Sequence, residues 1–158
     1  MSINEKLISE INKVFSGQPW YGSPIYDILG QVTFETAYER PAKGGHTIAE
    51  IILHMLSWTE EIMDRLNEMP AGLPTSGNWP DTGAPDEEKW KTWIEDLKLV
   101  TLNLTRVIEE FPQDKWHELT NDERPEEPDT TYKEMVEGFI QHQIYHAGQI
   151  ALLNRSFV

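Results

Sequence analysis

An all-α protein built as a four-helix bundle is what this sequence predicts, and three observations carry that expectation. Four long segments repeat apolar residues at helical spacing. Each is bounded by helix start and stop signals. No stretch alternates with period two for long enough to make a sheet. Packing four amphipathic helices against one another is the natural way to bury four apolar stripes.

The first helix opens with Ser2 and Glu5 at capping-box spacing and runs through Leu7, Ile11 and Val14 to Gly17. A connection follows in which Ser23-Pro24 and Thr33 each open a short helical turn, closed off by Pro41 and Gly44-Gly45. Thr47 and Glu50 form the capping box of the second long helix. Its stripe runs from Ile48 through Ile51, Met55, Trp58, Ile62 and Leu66 to Met69, and Pro70 closes it. The stretch 70–85 holds four prolines and three glycines and reads as a long ordered loop, pinned by Trp79. The third helix spans about 86–111, with Trp90, Trp93, Leu97, Val100 and Leu104 on its apolar side. Residues 112–129 are polar and acidic, broken by Pro125 and Pro128, and their charge run 121–127 reads as a solvated connection. Thr131 and Glu134 open the last helix, which continues to about Arg155. With no repeat and no boundary in the pattern, 1–158 reads as a single domain.

Composition narrows the function classes. The net charge of −14, from 27 acids against 13 bases, offers no Lys/Arg stripe to neutralise phosphates. The expected partners therefore exclude nucleic acid and, by the same argument, anionic membranes, and leave small molecules or another copy of the chain. No apolar run approaches a membrane span, and the opening MSINEKLISE lacks the layout of a secretory signal, so a cytoplasmic location is expected. The chain has no cysteine, so it carries no thiolate nucleophile or sulfur-ligated metal of its own.

The five histidines carry the chemistry. His142 and His146 lie one turn apart on the face of the last helix that also holds Met135, Phe139, Ile150 and Leu153. His54 projects at the margin of the second helix's stripe, beside Trp58. An H-x-x-x-H pair alone is a weak signal, because inward histidines also serve simply to hydrogen-bond a carbonyl or a carboxylate. Burying three uncompensated imidazoles is expensive, however, and one divalent metal ion resolves that cost. Imidazole suits zinc and nickel, with iron, manganese, cobalt and copper as alternatives, and three protein ligands leave a position open for water or substrate. Such a site loses its ion as the pH drops through about 6.5. Gln149, Glu50 and Glu61 are weaker candidates to orient an imidazole or approach the ion, and read more simply as solvated or capping side chains. His46 and His117 read as surface residues.

The segments 18–29 (QPWYGSPIYDIL), 47–58 (TIAEIILHMLSW) and 142–155 (HQIYHAGQIALLNR) give the chain its resemblance to the DinB-like superfamily. That superfamily includes YfiT-type metal-dependent hydrolases and bacillithiol and mycothiol S-transferases. The resemblance implies an up-down-down-up bundle, a metal held at His54, His142 and His146, and a homodimer, an expectation to which Trp90 and Trp93 add apolar surface. It does not imply one reaction. Three functions follow as expectations: activation of a low-molecular-weight thiol for S-transfer, hydrolysis by hydroxide on the metal with Glu61 or Glu50 as base, and non-catalytic metal-dependent binding or a stress role.

Overall fold

The computed structural model describes residues 1–158 as six α-helices: α1 (Ile3–Ser16), α2 (Ile25–Gly30), α3 (Phe34–Ala37), α4 (Ile48–Leu66), α5 (Glu87–Glu110) and α6 (Tyr132–Phe157). The capping boxes at Ser2, Thr47 and Thr131 are all formed, with each hydroxyl accepting from the backbone N–H three residues on and each glutamate reaching back. Asp86 caps α5 by accepting from Lys89 N–H. α4 stops three residues short of Met69, because Glu68 adopts φ 64° and turns the chain away, leaving Met69 exposed.

Cross-helix contacts fix the directions. Asn4, in the first turn of α1, bonds the carbonyls of Ile108 and Phe111 at the end of α5, so these two helices run antiparallel. Ile62 and Arg65 of α4 share a cavity with Glu134 of α6, while His54 meets His142, so α4 and α6 are also antiparallel. Asn4 also accepts the Trp116 indole N–H, and the Trp116 carbonyl accepts from Lys133 N–H. The starts of α1 and α6 therefore lie at the same end, and that pair, which lines a shared cavity, is parallel. The order is therefore up, down, down, up. The 20-residue connection 67–86 between the two parallel helices is the length such a crossover demands.

Buried apolar side chains from all four long helices form one cluster. In the connection 112–129 the charge run 121–127 lies along the surface, as expected, while the segment before it turns inward at Trp116. Trp116 is fully buried, and its indole N–H donates to Asn4 Oδ1, the same side chain that closes the end of α5. A bridge between Leu119 and Thr131 then leads the chain into α6. Trp90 is buried within the chain and Trp93 half-buried against Tyr38, so neither supplies the free apolar surface that the dimer expectation assigned to them. No helix is long and apolar enough to cross a membrane.

Candidate metal centre

Antiparallel packing of α4 on α6 brings His54 opposite His142 and His146. Their ligand nitrogens all lie within 4.8 Å of one another. His142 Nε2 stands 3.0 Å from His54 Nε2 and 3.2 Å from His146 Nε2. His54 and His146 are buried and His142 is half-buried.

The opposite side of each ring fixes its proton. His54 Nδ1 faces the carbonyl oxygen of Asn78, which can only accept. Gln143 is fully buried and spends its amide N–H groups on Met55 O and Thr59 Oγ1, so its oxygen accepts from His142 Nδ1 at 3.0 Å. Gln149 Oε1 accepts from His146 Nδ1 at 2.7 Å. With the proton on Nδ1, each neutral ring carries a lone pair on Nε2. Three lone pairs then point at one focus with no proton between them.

Burial lowers the pKa of all three rings, and their mutual repulsion adds to the effect at His54 and His142. His142 is lowered to about 4, chiefly by desolvation and then by its neighbour His146. Protonation is thus a poor way to relieve the repulsion, whereas a cation at the focus relieves it directly. Nitrogens about 2.0–2.1 Å from a tetrahedral ion sit roughly 3.3 Å apart, close to the spacing seen here. The donor set is compatible with one divalent metal ion.

The long loop is part of this arrangement. Trp79 lies flat between two imidazoles, 3.9 Å from His54 and 3.5 Å from His46, with planes within 10°. Asn78 takes the Trp58 indole N–H on its side-chain oxygen while its carbonyl holds His54. Trp58 in turn sits beside both His54 and His142.

Several secondary expectations change. Gln149 is no solvated bystander but the partner of His146. His46 is exposed, as expected, yet it closes the stack over His54 through Trp79. Glu61 is buried and takes the N–H of Arg65 and of Gly72, anchoring the loop away from the focus. Glu50 caps α4 and pairs with Arg40 and His46. His117 lies on the surface. Sequence reasoning missed Asn78 and Gln143. Gln143 left a trace, being a polar residue on the stripe of Val136, Phe139, Ala147 and Ile150. Asn78 left none, because a backbone carbonyl has no signature in a sequence.

Comparison with known proteins gives the same architecture. The solved structure of a DinB-like protein, YjoA from Bacillus subtilis, superposes with a TM-score of 0.68 at 12% identity, over 96% of this chain and 92% of that one. The colibactin self-resistance protein ClbS, solved in complex with a dsDNA, superposes with a TM-score of 0.64 at 17% identity, over 96% and 95%. No curated protein matches the sequence. The ClbS complex overturns the exclusion of nucleic acid drawn from net charge. A bundle of this fold is bound to DNA there, and the physical reason is that binding depends on the local potential of one surface, which a whole-chain sum of −14 does not describe. The model of the DinB superfamily matches residues 26–150, well over half of the chain, and the protein belongs to that superfamily.

Proposed function

We propose that the protein is a metal-dependent enzyme that activates a small thiol for S-transfer, with His54, His142 and His146 as the ligands of one divalent ion. The observation that carries this reading is the convergence of three Nε2 lone pairs whose rings are each fixed through Nδ1. Zinc and nickel suit the donor set best. When bound, the ion supplies Lewis acidity, lowering the pKa of a thiol at its open position.

The chain's own residues hold and dry the site. Asn78, Gln143 and Gln149 keep the three rings in the tautomer that presents Nε2. Trp79 and Trp58 cover His54 and exclude water from one side. In the overall reaction the thiol proton passes to solvent, sulfur forms a bond to an electrophilic carbon, and the leaving group departs with its electron pair. A chain without cysteine must take that sulfur from a separate molecule.

The hydrolytic alternative needs a base beside the attacking water. Its two sequence candidates, Glu61 and Glu50, are committed to Arg65 and Gly72 and to Arg40 and Thr47. That commitment favours S-transfer. The test is a cobalt-substituted sample titrated with a sugar-linked thiol and followed by conjugation to a model electrophile, with ester hydrolysis in parallel. A sulfur-to-cobalt charge-transfer band and metal-dependent conjugation support the reading. Hydrolysis without conjugation replaces it with the hydrolase, and neither activity leaves a binding protein.

A further inference from the structure

A cavity of about 490 Å³ runs between α4 and α6, with His54 and His142 at one end and Glu134 at the other. Its walls include Trp58, Met135 and Phe139, and Gly138 opens its floor. The volume falls within the range of about 300–1,000 Å³ typical of small-molecule sites.

Gly138 needs an explanation. A glycine inside a helix is about 0.5–1 kcal/mol worse than alanine. The usual structural reasons are a positive φ or the close approach of another chain segment. Gly138 has neither, since its φ is ordinary and a Cβ added there meets nothing within 4 Å. It lies one turn before His142 on the same face, and helical side chains lean back over the preceding turn. A side chain at 138 would therefore lean into the cavity towards Glu134, while the His142 ring leans back over position 138.

The charges at the cavity's edge already have partners. Arg65 donates to Glu61 and to Gly72 O, and Glu134 accepts from Thr131 N–H. Recognition in the cavity therefore rests on apolar and aromatic contact, with Asn78 and Thr130 as uncharged polar groups of its lining.

We infer that this cavity receives the uncharged, aromatic body of the electrophile that the thiol attacks, and that Gly138 sets the size it accepts. The occupant's role as acceptor rests on the S-transfer reading, whereas the cavity's preference for an aromatic body does not.

The experiment uses full-length protein labelled with ¹³C at the methionine methyls and titrated with N-phenyl-1-naphthylamine, a neutral aromatic probe. In the wild type the Met135 methyl shifts saturably, while the exposed Met1 and Met69 do not. Gly138→Leu weakens probe affinity about tenfold or more, the order seen when a pocket is filled. It does so with an unchanged or raised melting temperature, and Gly138→Ala gives a smaller loss. Gly148→Leu is the control, since Gly148 lies on the same helix with equally open space but outside this cavity. Probe affinity that survives Gly138→Leu, or falls equally with Gly148→Leu, overturns the assignment. If conjugation is present, Gly138→Leu raises KM for an aromatic electrophile and leaves that for iodoacetamide unchanged. Equal KM changes for both would remove the acceptor role. Absent conjugation with intact probe binding sinks the S-transfer reading alone.

Discussion

The indole of Trp79 lies parallel to the imidazole of His54, with ring centroids 3.9 Å apart and planes 9° apart, and His46 stacks on the indole's other face. A loop residue thus fixes the plane of a helix residue, and the same loop holds that ring's Nδ1 through Asn78 O. Removing Trp79 frees His54 to rotate away from the focus. Trp79→Ala is expected to weaken metal binding about tenfold, within the range for residues that orient a ligand, and Trp79→Phe to restore part of it. Chelator competition measures both. Equal affinity in Trp79→Ala and wild type would show that the stack does not position His54.

Purified wild-type protein should carry about one divalent ion per chain, a closed count for three histidines around one focus. His54→Ala, His142→Ala and His146→Ala should each lose most of it. Elemental analysis alongside circular dichroism separates ligand loss from unfolding. Full metal content in folded variants of His142 and His146 would remove those residues from the ligand set.

Acid should act on the apo-protein through the same histidines. Their folded pKa values lie below the ordinary 6.5, with His142 at about 4, so between these values the unfolded chain binds more protons than the folded one. The stability contributed by keeping these rings neutral is present above 6.5 and is lost as the pH falls through about 4. Lowered carboxylates such as Asp122 add loss in the same direction at lower pH, so the diagnostic quantity is the difference between wild type and His142→Leu across pH 3.5–8. Metal retention should follow the lowered values, which moves its midpoint below the value near 6.5 expected of an ordinary imidazole site. A retention midpoint at or above 6.5 would show that burial does not govern these rings.

The helices and the inward placement of His54, His142 and His146 on their own helices were legible because both rest on local pattern. Capping boxes at Ser2, Thr47 and Thr131 depend on three-residue spacing, and His142 and His146 share a face by spacing alone. Features set by tertiary packing were not legible. Nothing near Trp116 in the chain foretells that it fills the core beneath Asn4, 112 positions away. Nor does the composition of 70–85 tell that Asn78 and Trp79 meet His54, since the loop's path depends on where Glu61 and Arg65 anchor Gly72. The misjudged end of α4 is a local failure of another kind. Met69 fits the apolar stripe, but the backbone turns at Glu68 before the stripe can use it.

Gln143 should separate ring orientation from fold stability. It is fully buried and gives its amide N–H groups to Met55 O and Thr59 Oγ1 while its oxygen holds His142 Nδ1. Leucine has a similar volume, and Met55 O keeps the Thr59 hydroxyl as a donor after the change. Gln143→Leu is therefore expected to cost only about 1–2 kcal/mol of stability. The larger effect falls on His142. Without an acceptor at Nδ1, the ring is free to carry its proton on Nε2, where it points at the focus and blocks coordination. Metal affinity should drop about tenfold to a hundredfold. Gln143→Glu keeps an acceptor for Nδ1 and should retain affinity despite losing the two amide donors. The tautomer is visible directly in ¹⁵N-imidazole spectra of the apo-protein, where His142 should change from Nδ1–H in the wild type to a mixture in Gln143→Leu. Chelator competition on the same samples gives the affinities. A leucine variant that binds metal as tightly as wild type, with its His142 tautomer unchanged, would show that some other contact fixes the ring.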